Sequence, residues 1–323
     1  MFIKGEKMKL LIYGAGIQGS YLAHILAKNK ENEVTILARG KTKEHLETNG
    51  LELKHVIQKK RTVDTIKIIS KLEPTDKYDL IFVTMKYNDF DSVIEPIARN
   101  HSQRVIFVGN QMNPELLKEK IIQKNPAKQV FFGFQNTGGT REGNLITILR
   151  FNGGKMKIYL DSNEFEMTQL LNQVFARTNY QWQSDPTLPD WLKSHAALIM
   201  VLNSLDLIYR KKMKNKQELT RLFSITASAF KEAFTVLEEN GYPIVPKIQK
   251  NLLQNEFLTK IGLRLMYATP LMASAQGSYT EIELIICSFE RLKKETGTKT
   301  PNLDQLIKIT AQVNERKSVI KKF

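Results

Sequence analysis

A glycine-rich turn near the start of the chain constrains its fold more than any other feature. Residues 9–13 are a short apolar stretch that predicts a β-strand, and Gly14, Gly16 and Gly19 follow it in the spacing Gly-x-Gly-x-x-Gly. A helix is predicted to begin near Ile17. In such a turn the first glycine permits a tight bend, the second lets the backbone approach a pyrophosphate, and the third lets helix and strand pack closely. The pattern predicts a dinucleotide-binding βαβ unit.

The surrounding sequence supports this prediction over a glycine turn that binds nothing. A second strand is predicted at 33–37, where a βαβ unit requires one. The N-terminus of the intervening helix offers free N–H groups and a positive dipole end to phosphates. We therefore predict cofactor contacts from the whole motif: Gly14, Ala15, Gly16, Ile17, Gln18 and Gly19.

The residues after the second predicted strand indicate which dinucleotide binds. NAD-preferring sites place Asp or Glu there, about twenty residues past the glycines, to hold the ribose 2′-hydroxyl. This chain has Ala38-Arg39-Gly40-Lys41 and no carboxylate at that point. Because a cation can pair with a 2′-phosphate, we predict NADP(H) as the cofactor and Arg39 as a binding residue. The alternative is that Arg39 is an ordinary solvated charge.

Composition excludes several other classes of protein. The net charge is +15, but the basic residues are scattered and form no nucleic-acid-binding signature, so no nucleic-acid partner is expected. The single cysteine, Cys287, excludes an internal disulfide, and the five histidines show no metal-ligand spacing. The longest apolar run, 196–202, is far shorter than the ~20 residues of a membrane span. We expect a cytoplasmic protein with no metal and no membrane partner.

The first half of the chain alternates predicted strands and helices. Near-continuous apolar strands separated by helices predict a parallel sheet covered on both faces. We therefore expect an α/β fold in which residues 1–180 form a Rossmann-type, doubly wound, NADP-binding domain. The strands predicted at 130–134, 144–150 and 155–160 extend that sheet with antiparallel edges. Residues 181–189 contain two prolines and no periodicity, which predicts a linker.

The second half is helical in pattern. Residues 190–323 are therefore expected to form an all-α domain that carries substrate-binding and catalytic residues. In such architectures the ligand binds outside the carboxyl ends of the strands. The helices are predicted at 190–209, 217–240, 248–265, 278–296 and 303–316.

Lys193 is the candidate general acid, since reduction of a ketone requires a group that protonates the developing alkoxide. It follows Asp190, a predicted N-cap, and so is expected in the first helical turn. The helix dipole there disfavours a charged ammonium group and is expected to lower its pKa. The alternative is a surface lysine on an amphipathic helix. His195, two residues on, is predicted to pack against other side chains.

Three further residues are candidates with ordinary structural alternatives. Glu281 can bind substrate, or it can complete a capping box with Ser278. Lys86 and Asn110 follow predicted strands at the edge where ligands bind. Lys86 can equally be one lysine among many, and Asn110 can simply start a turn.

Taken in order, these motifs resemble the ketopantoate reductase (2-dehydropantoate 2-reductase) family along essentially the whole chain. The resemblance rests on the glycine turn, the basic residue after the second strand, and the following segments: Val83-Thr84-Met85-Lys86, Asn110, Arg141-Glu142-Gly143-Asn144, Trp191-x-Lys193 and Tyr279-Thr280-Glu281-Ile282-Glu283.

The resemblance implies reduction of ketopantoate to pantoate by NADPH, in pantothenate biosynthesis. It implies that Lys193 is the general acid and that Glu281 binds and orients the substrate. It further implies that Asn110 lies beside nicotinamide and substrate and that Lys86 contacts the cofactor. The expected partner is a small-molecule 2-keto acid, and a homodimer is a hypothesis.

The chain departs from the family pattern in two places. The family commonly has His-Asn-Gly-x-Gly after the fifth strand, where this chain has residues 109–113, Gly-Asn-Gln-Met-Asn. The family lysine is followed at four and eight positions by asparagines, which are here Ala197 and Val201. A substrate hydroxyl contact could then come from Thr269 or Ser274. Two alternatives follow: a reductase of a more apolar 2-keto acid, or a non-catalytic NADP(H)-binding sensor.

Overall fold

The computed structural model describes residues 7–150, 154–212, 215–268 and 279–320. The chain forms two compact units. The first runs to Gly109 and resumes at Asn113–Leu188, and the second comprises Asn110–Met112 and the chain from Pro189 onward.

Within the described residues of the first unit, twelve strands form two sheets. In chain order they are β1 (Met8–Tyr13), β2 (Asn32–Leu37), β3 (Leu51–His55), β4 (Lys60–Asp64), β5 (Lys67–Ile69), β6 (Leu80–Val83), β7 (Arg104–Val108), β8 (Gln129–Gln135), β9 (Gly138–Glu142), β10 (Leu145–Leu149), β11 (Lys155–Tyr159) and β12 (Gln181–Ser184).

The larger sheet has the order β12-β11-β8-β7-β6-β1-β2-β5. All neighbouring strands run parallel except β8 and β11. The chain passes from β1 to β2 on one side and returns to β6 on the other, so the strand order reverses at β1 and β6. In open α/β sheets, ligands bind at such a switch point, outside the carboxyl ends of the strands. The prediction of a doubly wound α/β fold is confirmed.

Helices cover this sheet. They are α1 (Ile17–Leu26), α2 (Gly40–Asn49), a 3₁₀ helix (Tyr87–Val93), α3 (Ile94–Arg99), α4 (Pro114–Lys124) and α5 (Phe165–Val174). Helix α5 was not predicted, although Met167, Leu170, Leu171 and Val174 are buried at helical spacing.

The smaller sheet, in the order β4-β3-β10-β9, corrects the sequence-based topology. Residues 144–150 were predicted to extend the main sheet, but β10 pairs with β3 and β9 instead. In β10, Ile146 and Ile148 are buried, whereas Leu145, Thr147 and Leu149 are half-buried. That alternation is typical of a sheet covered on one face. The smaller sheet packs against α1, which therefore lies between the two sheets.

The predicted linker 181–189 is wrong over most of its length. Residues 181–184 are strand β12, which pairs in parallel with β11 at the edge of the main sheet. The next helix begins at Leu188, before the predicted linker ends. The sequence of this segment resembles a linker because it contains two prolines and because a four-residue edge strand is too short to show a periodic pattern.

The described part of the second unit is helical, as predicted. Helix α7 packs against α8, α9, α10 and α11. The predicted helix 248–265 is two helices, because the side chain of Asn255 caps α9 by accepting a hydrogen bond from the Leu258 N–H at 3.1 Å. The helices are α6 (Leu188–Lys212), α7 (Lys216–Glu239), α8 (Lys247–Gln254), α9 (Glu256–Tyr267), α10 (Tyr279–Thr296) and α11 (Pro301–Ile320).

Among the described residues, no helix combines the length and the apolar character needed to cross a bilayer.

Candidate functional site

The three glycines of the turn meet three different steric demands. Gly14 has a φ of +121°, which side-chain-bearing residues rarely adopt. A Cβ atom at Gly19 would collide with the carbonyl oxygen of Gly14 and with Oγ1 of Thr84. A Cβ atom at Gly16 would meet nothing within 4 Å. Gly16 thus borders space that the protein itself leaves open, as the approach of a pyrophosphate requires.

Side chains from distant strands hold the turn in place. Thr84, just after β6, donates from Oγ1 to the carbonyl oxygen of Gly14 at 3.0 Å. Gln135, at the end of β8, donates from Nε2 to the carbonyl oxygen of Gln18 at 3.0 Å. Its Oε1 in turn accepts the hydroxyl of Tyr180 at 2.8 Å. Sequence reasoning missed Gln135 and Tyr180, because no local signal links them to the turn.

Helix α1 begins without a side-chain cap. Gly16 is its N-cap residue, and the first turn contains no acidic side chain. The first N–H groups and the positive end of the helix dipole therefore favour an anion at this position. All six motif residues lie here, with Gly14, Ala15 and Gly16 in the turn and Ile17, Gln18 and Gly19 at the start of α1.

Arg39 contacts the residue that precedes this turn. It follows β2, and its Nη2 donates to the hydroxyl of Tyr13, the last residue of β1, at 3.1 Å. The first turn of α2, which Arg39 precedes as N-cap, contains no acidic side chain. Among the described residues Arg39 joins no ion pair. Its positive charge is thus available to a phosphate, which fits the expected 2′-phosphate.

Lys86 and Asn110 follow neighbouring strands, as the sequence predicts. Lys86 is exposed, and its backbone carbonyl accepts the Asp89 N–H at 2.9 Å at the start of the 3₁₀ helix. Asn110 follows Gly109, whose φ is +145°. The Oδ1 atom of Asn110 is buried and accepts no hydrogen bond in the described part of the protein. Buried acceptors are normally satisfied, so this atom is suited to a ligand donor.

Lys193 is buried, which corrects the surface-lysine interpretation. Its exposed fraction is 4%, and its Nζ lies 4.7 Å from the centre of the Tyr242 ring, a cation–π arrangement. Helix α6 begins at Leu188, so Asp190 is inside the first turn and is not the N-cap. Lys193 lies in the second turn. The predicted position in the first turn is therefore wrong.

The segment that carries Tyr242 is tied to α6 by Ser194. The hydroxyl of Ser194 donates to the carbonyl oxygen of Asp190 at 3.0 Å and accepts the Val245 N–H at 3.0 Å. Ser194 is fully buried. These bonds hold the residues around Tyr242 beside the helix, so the aromatic ring next to Lys193 has a fixed position.

His195 packs against Trp191 on α6. The two rings stack with their centroids 4.5 Å apart and their planes 12° apart. Burial lowers the pKa of His195 to about 4. The imidazole is then neutral at pH 7 and has no imidazolium proton to donate.

Ala197 and Val201 are both fully buried on α6, one and two turns beyond Lys193. Helical spacing places the three residues along one face. Glu281 is half-buried in the first turn of α10. Thr269 and Ser274, the predicted sources of a substrate hydroxyl contact, lie outside the described residues, as does Ser278 of the predicted capping box.

The doubly wound sheet, the open glycine turn at its switch point and the cation after β2 define a dinucleotide-binding protein of the Rossmann type. In the described residues no group of three or more His, Cys, Asp or Glu side chains could hold a metal ion. Residues 10–161 match the family model described as "Ketopantoate reductase PanE/ApbA". This similarity to the ketopantoate reductase model covers slightly less than half of the chain.

A curated protein is similar to this chain over a shorter stretch. A 2-dehydropantoate 2-reductase of Mesorhizobium japonicum is 30% identical over 91 residues, which are 28% of this chain and 27% of that protein. The match thus spans only about a quarter of the relative's length.

Solved structures cover nearly the whole chain. A PanE/ApbA family ketopantoate reductase from Ralstonia eutropha JMP134 has a TM-score of 0.73 at 17% identity, covering 96% of this chain and 100% of that one. D-Mandelate dehydrogenase, solved with NADH and anilino(oxo)acetate, has a TM-score of 0.72 at 17% identity, covering 96% and 99%. At this identity the similarity shows the fold.

Proposed function

We propose that this protein is an NADPH-dependent reductase of a 2-keto acid, with ketopantoate as the first candidate substrate and pantoate as its product. The observation that carries the proposal is the burial of Lys193, only 4% exposed and set against the ring of Tyr242. At this buried position the ammonium group can attract an anionic substrate and donate a proton to it.

Each candidate residue has a role in this reaction. Bound NADPH would supply a hydride to the 2-keto carbon. Lys193 would donate a proton to the developing alkoxide, and its charge would attract the substrate carboxylate. Glu281 would bind and orient the substrate. Asn110, with its buried Oδ1 acceptor, would contact substrate and nicotinamide, and Thr269 would add a hydroxyl contact to the substrate.

NADPH is proposed over NADH on the basis of Arg39. The residues after β2 contain no carboxylate that could accept hydrogen bonds from a ribose 2′-hydroxyl, and Arg39 has no ion-pair partner in the described part of the chain. A 2′-phosphate would neutralise this cation. Lys86, exposed after β6, is proposed as a further cofactor contact.

The experiment that tests the proposal follows oxidation of NADPH by the purified protein at the nicotinamide absorbance. Ketopantoate is tested beside a panel of branched 2-keto acids. Rapid oxidation with ketopantoate supports the proposed reaction and places the protein in pantothenate biosynthesis. Tight NADPH binding without oxidation by any keto acid would contradict it and favour an NADP(H)-binding sensor.

A more apolar 2-keto acid is the second candidate substrate. It is favoured by the full burial of Ala197 and Val201, which leave an apolar face where the family commonly has asparagines. Such a face does not select strongly for a hydroxyl-bearing substrate.

The double variant Ala197→Asn, Val201→Asn discriminates between the two candidates. If the apolar face sets the preference, kcat/KM for ketopantoate rises about tenfold relative to an apolar keto acid, since one satisfied hydrogen bond is worth about that much. An unchanged ratio in a folded variant would count against the second candidate. Thermal unfolding of the variant provides the folding control.

The oligomeric state and cellular location also remain predictions. We propose a homodimer, which light scattering of the purified protein tests directly, and a cytoplasmic location, which fractionation of cells tests.

A further inference from the structure

Arg141 belongs to a motif that the proposed function leaves without a role. It lies on β9 of the smaller sheet, yet its side chain reaches the glycine turn. Its Nη1 donates to the carbonyl oxygen of Ala15 at 3.0 Å and its Nε to the carbonyl oxygen of Gly143 at 3.3 Å. Its Nη2 lies 3.5 Å from Oγ1 of Thr42, in the first turn of α2. The guanidinium group therefore bridges the turn before α1 and the start of α2.

The charge of Arg141 is not neutralised by the protein. All three of its acceptors are uncharged oxygens, and in the described part of the chain it joins no ion pair. The side chain is half-buried, and burial lowers its pKa, although arginine stays protonated under ordinary conditions. A partly desolvated cation without a counter-ion is unfavourable. An anionic ligand would remove that cost.

The two helices that begin beside these contacts, α1 and α2, add to the positive potential. Neither α1 nor α2 has a side-chain cap or an acidic residue in its first turn. Their dipoles and the guanidinium group thus meet with no carboxylate to offset them. Arg39, the N-cap residue of α2, contributes a second unneutralised guanidinium three residues before Thr42.

The position of Arg141 identifies the part of the dinucleotide that it would meet. The turn before α1 takes the pyrophosphate, and the residues after β2 take the adenosine ribose. Nη1 and Nε donate to backbone carbonyls. Nη2 carries two N–H groups, of which the 3.5 Å contact with Thr42 engages one, so the other can meet a ligand. We propose that Arg141, together with Arg39, binds the 2′-phosphate of NADPH and so makes the site selective for NADPH over NADH. This inference rests on the proposed cofactor site.

The test compares dissociation constants, measured by nicotinamide fluorescence, for NADPH and NADH in the wild type, Arg141→Gln and Arg141→Lys. Arg141→Gln is expected to weaken NADPH binding about tenfold or more, as loss of a charge-assisted hydrogen bond implies, and NADH binding less than about twofold. Arg141→Lys restores part of the NADPH affinity. Arg61→Gln is the matched control, because Arg61 is an exposed arginine of the same small sheet, paired with Glu52.

A double variant shows whether the two arginines share one phosphate. If they do, the losses in Arg39→Gln and Arg141→Gln are not additive in the double variant, since interacting residues couple. Adenosine 2′,5′-bisphosphate and AMP serve as probes without nicotinamide: the bisphosphate loses affinity in Arg141→Gln and AMP does not.

Three results would overturn the inference. Equal loss of NADPH and NADH affinity would mean that Arg141 only braces the turn or meets the pyrophosphate. Unchanged affinities would mean that it meets no part of the cofactor. Additive losses in the double variant would separate it from the phosphate held by Arg39. Keto acid turnover by the wild type, measured independently, decides the proposed function whatever Arg141 does.

Discussion

Burial distinguishes a few cations of this basic chain from the many others. Of 48 lysine and arginine residues, most cannot be told apart by sequence, since a lysine on a helix is usually solvated. Lys193 is 4% exposed and lies against an aromatic ring, and Arg141 is half-buried against the glycine turn. A cation held at either position is suited to binding an anionic ligand.

Replacement of Lys193 is the first prediction at this scale. Lys193→Met removes the proton donor while keeping an unbranched side chain of similar length. We expect kcat to fall about 10²- to 10⁴-fold, the usual contribution of a general acid, while the dissociation constant of NADPH changes little. Steady-state kinetics and fluorescence titration measure the two quantities. Lys247→Met, at an exposed lysine of α8, is the control, and an unchanged kcat in Lys193→Met would refute the assigned role.

The glycine turn allows a prediction that separates binding from folding. Gly19→Ala forces a Cβ atom against the Gly14 carbonyl and Thr84, so we expect it to lower stability by about 1–3 kcal/mol. Gly16→Ala meets no protein atom within 4 Å and occurs at a φ of −75°, so its stability should match the wild type. It should nevertheless weaken NADPH binding, because the methyl group enters the space left for the pyrophosphate. Thermal unfolding and cofactor titration test both; normal NADPH affinity in Gly16→Ala would mean that the open space is not the binding site.

At the scale of elements, α1 shows how a helix can bind a ligand at one end and be buried along its length. Every residue from Gly19 to Leu26 is buried, since the main sheet covers one side of α1 and the smaller sheet the other. A helix covered all round has no polar stripe, so α1 shows no amphipathic pattern in the sequence. Two polar side chains on or beside it, His24 and His55, are enclosed by the same packing.

His55 should make the stability of the first unit sensitive to acid. Burial, followed by repulsion from His24, Lys60, Lys28 and Arg150, lowers the pKa of His55 to about 4 from 6.5. The unfolded chain therefore binds a proton at a higher pH than the folded one. Stability from this group is complete above about pH 6.5 and is lost as pH falls toward 4, by on the order of 3 kcal/mol at most.

The variant His55→Gln tests this dependence. It cannot take up the proton, and its amide can still reach Thr62, which His55 contacts through Nε2 at 2.9 Å. The decline in unfolding free energy between pH 6.5 and 4, measured with denaturant, should be shallower than in the wild type. His101→Gln, at an exposed histidine, should keep the wild-type slope, and equal slopes in all three proteins would contradict the prediction.

At the scale of the whole molecule, cofactor binding should stabilise the folded chain. A ligand at a hundred times its dissociation constant adds about 2.7 kcal/mol if it binds only the native state. We expect NADPH to raise the unfolding temperature by several degrees, and NADH at the same concentration to raise it less. Differential scanning fluorimetry without substrate measures both shifts. Equal shifts would contradict the preference for NADPH.

The sequence alone was sufficient for features that depend on neighbouring residues. The glycine spacing, the uncapped start of α1 and the cation after β2 follow from local sterics and backbone hydrogen bonding. The same holds for the apolar strands of the main sheet, because a parallel strand buried on both faces leaves a continuous run. Short edge strand β12 and the break at Asn255 were missed, since four residues or one cap carry little periodicity.

The sequence by itself determined that this chain folds as a dinucleotide-binding doubly wound domain followed by helices. Only the tertiary structure decided which polar residues serve that site. Gln135 reaches the turn across 117 residues, and Arg141 across 126. The tertiary structure also decided that β10 pairs outside the main sheet. It likewise decided that Lys193 is buried, one turn further into its helix than the sequence predicted. The reason is physical: local pattern sets backbone conformation, whereas burial and long-range hydrogen bonds arise only when distant segments pack together.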